Sequence, residues 1–204
     1  MNVLLIGMGA IISVLLMYLG ITFVKKADYD GHGLPENVEI SYIFITAIAG
    51  CIAIAAFYSY FFLYILFTAY LAIMAYTDFY TMKLYTIFHI LIGMIGYIAL
   101  FIVNELLIRE FILGLILIFF MQLTKVINNG DVELLFASFP YICICANIYK
   151  IDKLCVWFGF LMLVLFVSVV INLKAFIKKG KTKAPFAVPV FIGYVVMALL
   201  IVAK

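Results

Sequence analysis

Charge is what this chain has least of. Only 11% of its 204 residues are Asp, Glu, Lys or Arg, against 69% hydrophobic residues, and the mean hydropathy is +1.31. That leaves too little polar surface to wrap a water-soluble globule, so the composition predicts a polytopic membrane protein. A basic region ahead of the first apolar run is also missing. The segment MNVLLIGMGAIISVLLMYLGITFV has the length of a full span, which predicts a retained anchor and not a cleaved signal peptide. Long polar stretches are scarce as well: KKADYDGHGLPENVEI, with its turn residues Gly31, Gly33 and Pro35, is too short for a folded domain. The apolar runs lack the period-two alternation of a closed β-barrel. What remains is an all-α fold, a transmembrane helical bundle with no internal repeat.

The usual reagents of enzyme chemistry are equally sparse. Cys51, Cys143, Cys145 and Cys155 fall within or beside predicted spans, and Cys143 and Cys145, two positions apart, point to different faces of a helix. They read as buried thiols that pack as small apolar side chains. His32 and His89 each lack a second ligand at helical or turn spacing, so neither predicts a metal site, and no cofactor is expected. No Ser or Cys stands beside a His in a way that suggests a nucleophilic triad. Two acids are left in awkward places, Asp78 at the end of YFFLYILFTAYLAIMAYT and Asp131 in INNGDVELLFASF. A carboxylate at a membrane boundary costs roughly 2 to 4 kcal/mol unless compensated, which marks both as candidate functional residues.

A bilayer core of about 30 Å needs roughly 17 to 25 apolar residues per helix. Eight segments fit: Asn2–Val24, Ser41–Phe57, Tyr60–Thr77, Thr86–Val103, Arg109–Ile127, Asp131–Tyr149, Leu154–Lys174 and Phe186–Ala203. The run from Ile40 to Tyr76 is too long for one span and is expected to break near Tyr58 and Ser59. With both termini outside, Lys25, Lys26, Lys83, Lys125, Lys174, Lys178, Lys179, Lys181 and Lys183 lie on the cytoplasmic side, against Arg109, Lys150, Lys153 and Lys204 on the other. Nine against four follows the positive-inside rule and puts Asp78 and Asp131 on the cytoplasmic face. The expected organisation is two N-terminal helices, residues 1–57, ahead of a six-helix core, residues 58–204, in one membrane domain.

Three motifs then carry a resemblance. AYTDFYTMKLYTIFHI resembles the first motif of the type IV prepilin peptidase family, an aspartate at a helix end followed six positions later by an aliphatic residue, here Leu84. NNGDVELL is similar to that family's GxGD motif and the segment after it, and APFAVPVFIG, with Pro185, Phe186 and Pro189, resembles its PFxP segment at the head of the last helix. The resemblance covers roughly Tyr60 to the end. It implies a GxGD aspartyl membrane protease of prokaryotic cytoplasmic membranes that removes the basic leader of type IV prepilins and pseudopilins, with Asp78 and Asp131 as the catalytic pair. No nucleic-acid partner is implied. The cysteine-rich lobe that larger family members carry between their first two helices is not present, so no methyltransferase activity is expected.

The departures fall around Asp131. Asn128 replaces the first glycine of GxGD, Asn129 fills the variable position before Gly130, Tyr85 replaces a proline, and Glu133 replaces the lysine of GDVKL. Asn tolerates left-handed backbone angles, so Asn128 is expected to keep the glycine's turn. Two roles are open to Glu133, perturbing the ionisation of Asp131 or binding a basic leader. Two rival readings stand beside the protease: a proton-coupled transporter using both acids as a relay, and a catalytically silent assembly factor with the same fold. The transporter reading asks for acids deeper in the bilayer and paired broken helices.

Overall fold

The computed structural model describes residues 3–27, 33–103, 108–123, 127–179 and 185–203. Of the residues named above, Asn2, Gly31, His32, Lys125, Lys181, Lys183 and Lys204 lie outside these. The described residues are all-helical, with no strand. The helices are α1 (Val3–Ala27), α2 (Ile40–Ala56), α3 (Phe61–Thr81), α4 (Thr86–Ile102), α5 (Ile108–Leu123), α6 (Asn129–Ile148), α7 (Lys153–Lys179) and α8 (Ala187–Val202). The long apolar run breaks at a 3₁₀ turn, Tyr58–Tyr60, where the sequence suggests.

Four helices, α1, α3, α6 and α7, are long and apolar enough to cross a membrane. The other four have 16 or 17 residues, about 24 to 26 Å at 1.5 Å per residue, a little short of a 30 Å hydrocarbon core. Apolar outward stripes occur on a long helix and a short one alike. Leu4, Met8, Ile11, Leu15 and Leu19 of α1 are exposed at helical spacing, as are Ile87, Ile90, Met94 and Ile98 of α4. Water would penalise such stripes, whereas a bilayer is their natural solvent.

The chain forms two compact units, Met1–Lys83 with Val164–Lys204, and Leu84–Leu163. In the first, α3 packs against α1, α2 and α8, and α1 packs on α2. Its interior is aromatic, with Tyr64, Phe67, Tyr70, Tyr76 and Tyr194 almost fully buried. Thr68 Oγ1 and Tyr194 OH, 3.0 Å apart, share a hydrogen bond that pins α3 to α8. Buried hydroxyls of this kind need partners: Thr68 Oγ1 donates to the Tyr64 carbonyl at 2.7 Å, which leaves it to accept from Tyr194 OH. In the second unit, α4 and α5 pack on α6. Gly93 and Gly96 let the α4 backbone come close to α6. A Cβ at Gly96 would lie 2.6 Å from the Tyr141 ring and 2.7 Å from Pro140 Cγ. Tyr141 OH donates to the Ile92 carbonyl at 2.9 Å, tying the same two helices. Helix α6 runs through Pro140 without interruption. The apolar stretches of α3 and α6 are 72% buried and those of α1 and α7 only 22%, so each candidate aspartate sits on the inner helix of its own unit.

Candidate active site

Asp78 lies in the last turn of α3 and is only 5% exposed. The helix ends just beyond it because Met82 takes a left-handed backbone, φ 54°, and returns its N–H to the Asp78 carbonyl at 2.9 Å. This C-cap geometry satisfies an otherwise orphaned carbonyl. The side chain finds its partner far along the sequence: Ala187 N–H donates to Asp78 Oδ2 at 2.8 Å, and the Phe186 amide also reaches the carboxylate. Ala187 is the first residue of α8. The first four N–H groups of a helix have no partner within it, and the positive end of the helix dipole attracts a carboxylate by about 0.3 to 1 kcal/mol.

That arrangement gives the proline-containing segment a physical role. Ala187 spends one orphaned donor on Asp78, Pro189 has no N–H to satisfy, and Val190 N–H closes on the Phe186 carbonyl at 3.3 Å. Two residues, Ala187 and Val188, separate Phe186 from Pro189, one more than a PFxP pattern holds. Phe186 and Pro189 are buried and Pro185 is half-buried.

Asp131 is 8% exposed and sits at the third position of α6. Helix α6 begins at Asn129, two residues before the expected start, because the Asn128 carbonyl already accepts Val132 N–H at 3.1 Å. Asn128 is the N-cap. Its backbone is extended, φ −93° and ψ 172°, so the expectation of a left-handed turn at this position is corrected. Asn keeps the position by capping instead: Asn128 N–H donates to Asp131 Oδ2 at 2.8 Å, and the two residues form a capping box. Both candidate acids are thus held by amides at a helix N-terminus, one by its own helix and one by another.

The remaining motif residues meet in pairs. Leu84 packs on Gly130, where a Cβ would come within 3.3 Å of its Cδ1, so the glycine makes room for the leucine. Glu133 Oε2 accepts from Thr86 Oγ1 at 2.8 Å. Two positions along a helix is about 200° around it, so Glu133 faces α4 and not Asp131. Asn129 Oδ1 accepts from Gln122 Nε2 at 2.7 Å. Near Asp78, Tyr76, Phe79 and Tyr80 of α3 form an aromatic cluster joined by Tyr42 of α2, whose ring stands edge-on to Tyr76 at 5.0 Å.

Sequence reasoning did not single out Ala187, Thr86 or Tyr42. Ala187 contributes only a backbone N–H, which no side-chain pattern reveals, but the spacing of Asn128 and Asp131, three apart, does carry a capping-box signal. The described residues contain no group of three His, Cys, Asp or Glu side chains arranged to hold a metal ion. No protein-family model, curated protein or solved structure matches the chain.

Proposed function

We propose that this protein is an integral membrane aspartyl endopeptidase that removes the basic leader of type IV prepilin-like proteins, with Asp78 and Asp131 as its catalytic carboxylates. The observation that carries the reading is the anchoring of both acids. Each is nearly buried on an inner helix and held by amides at a helix N-terminus, and the amide on Asp78 belongs to the segment that resembles the family's third motif. Carboxylates kept in apolar surroundings with fixed hydrogen bonds are what acid–base chemistry requires.

In this reading one carboxylate is ionised and draws a proton from a water as that water attacks the scissile carbonyl. The other is protonated and hydrogen-bonds the carbonyl oxygen. No covalent intermediate forms, and the proton positions belong to the pair and not to either residue. All eight helices cross the membrane, both termini face outward, and the chemistry takes place near the cytoplasmic surface, where the lysine excess lies.

The test is co-expression with type IV prepilins, scoring leader removal by gel shift. Wild type is expected to process at least one precursor, with Asp78→Asn and Asp131→Asn each reduced to background at equal membrane abundance. Intact precursor throughout a panel of prepilins sinks the protease reading. Continued cleavage by either variant sinks the pair.

A further inference from the structure

A groove of about 510 Å³ between α4 and α6 is left unused by that chemistry. Ile90, Met94, Val132 and Phe136 give it apolar walls, and Tyr97 closes one end, its OH donating to the Phe136 carbonyl at 3.2 Å. The other end is polar, formed by Thr86, His89 and Glu133. Among the described residues, Glu133 is the sole carboxylate of the lining, and no Lys or Arg contributes to it. The bond from Thr86 Oγ1 fixes the carboxylate's direction without neutralising its charge. A negative group at the mouth of an apolar channel selects an amphiphile with a cationic end.

Size narrows the occupant. One turn of helix about 10 Å wide and 5.4 Å high fills roughly 400 Å³, so the groove takes the side chains of about one turn and not a whole span. Position narrows it further: Glu133 lies two residues from Asp131 on the far side of α6, a path that about three or four extended residues bridge at 3.3 to 3.6 Å each.

We infer that the α4/α6 groove is an exosite for an apolar peptide segment bearing one basic side chain, with Glu133 receiving the cation. The assignment of a peptide as occupant rests on the proteolytic reading; the cation preference rests on the groove alone. Glu133 is a specificity residue that does not touch the reacting atoms.

Binding and cleavage are measured separately. Full-length protein in nanodiscs of phosphatidylcholine is titrated with a fluorescent apolar peptide carrying a single Lys, and with its Lys→Glu counterpart. Wild type is expected to prefer the Lys peptide. A charge-assisted hydrogen bond of about 1.5 to 3 kcal/mol corresponds to roughly a tenfold or greater loss in Glu133→Lys, with the Lys→Glu peptide rebinding that variant. Ile90→Trp, which fills the exposed wall, is expected to weaken both peptides alike. Equal affinities across Glu133→Lys and wild type overturn the proposal. So does displacement of the peptide by phosphatidylethanolamine without any charge-swap rescue, which would assign the groove to a lipid ammonium headgroup. If the charge swap is seen but no precursor is cleaved, the groove's cation preference stands and the protease reading falls, taking the peptide exosite with it.

Discussion

Asn128 and Asp131 hold opposite ends of one capping box, so a substitution at either disturbs the start of α6, and only their comparison separates architecture from chemistry. Asn128→Gly restores the glycine of the GxGD pattern and keeps a tolerated N-cap, at a penalty of a few tenths of a kcal/mol. Asn128→Ala removes the cap and is expected to cost about 1 kcal/mol. Both should still process prepilin. Asp131→Asn leaves an oxygen able to accept Asn128 N–H, so thermal unfolding in detergent should shift little while cleavage disappears. If Asn128→Ala abolishes cleavage as completely as Asp131→Asn, the acid is a structural cap and its assigned role is wrong. The pair Asp78 and Ala187 poses the opposite problem. No side-chain change at Ala187 deletes its N–H except proline, and because Phe186 before it has a right-handed helical backbone that a following proline disfavours, Ala187→Pro removes the donor and strains the start of α8 together.

At the scale of the element, the contact of α4 with α6 depends on two glycines of unequal importance. A Cβ at Gly93 would sit 3.7 Å from Ala137, an ordinary contact, whereas at Gly96 it would strike Tyr141 and Pro140 at 2.6 and 2.7 Å. Gly96→Ala is therefore expected to destabilise by about 1 to 3 kcal/mol, as overpacking does, and Gly93→Ala to be nearly neutral. Unfolding of both variants in the same detergent checks the contrast, and equal midpoints would refute it. The helices themselves were legible in the sequence because continuous apolar runs broken by Lys, Asn, Gly and Pro leave few alternatives at membrane length. Their ends were less so. The α6 start moved to Asn129 because a cap, not a hydropathy change, sets it. Of the candidate site, Asp78 and Asp131 stood out because buried charge is rare in such a chain. The groove and the Ala187 amide did not, since both arise from which helix faces come together, and a local pattern encodes neither.

For the whole molecule, the packing of the short helices on long ones bears on which of them cross. Helix α2 has 17 residues, about 25 Å, yet it packs on the 25-residue α1 through a close approach in which a Cβ at Gly50 would meet the Gly9 carbonyl at 2.7 Å. Helices joined this tightly share one environment, and a mismatch of a few ångströms is absorbed by local thinning of the bilayer at a fraction of a kcal/mol per ångström. On that argument α2 is expected to cross beside α1. Exposed positions flanking α2 give the decisive measurement: Glu36→Cys and Tyr58→Cys, with Lys150→Cys after α6, each introduced singly after replacement of the four native cysteines. In intact cells a membrane-impermeant maleimide should label positions 58 and 150 and reach position 36 only after permeabilisation. Were α1, α3, α6 and α7 alone to cross, positions 36 and 58 would react from the same side. The lysine excess would then no longer mark one cytoplasmic face, and the placement of the chemistry there would fall with it.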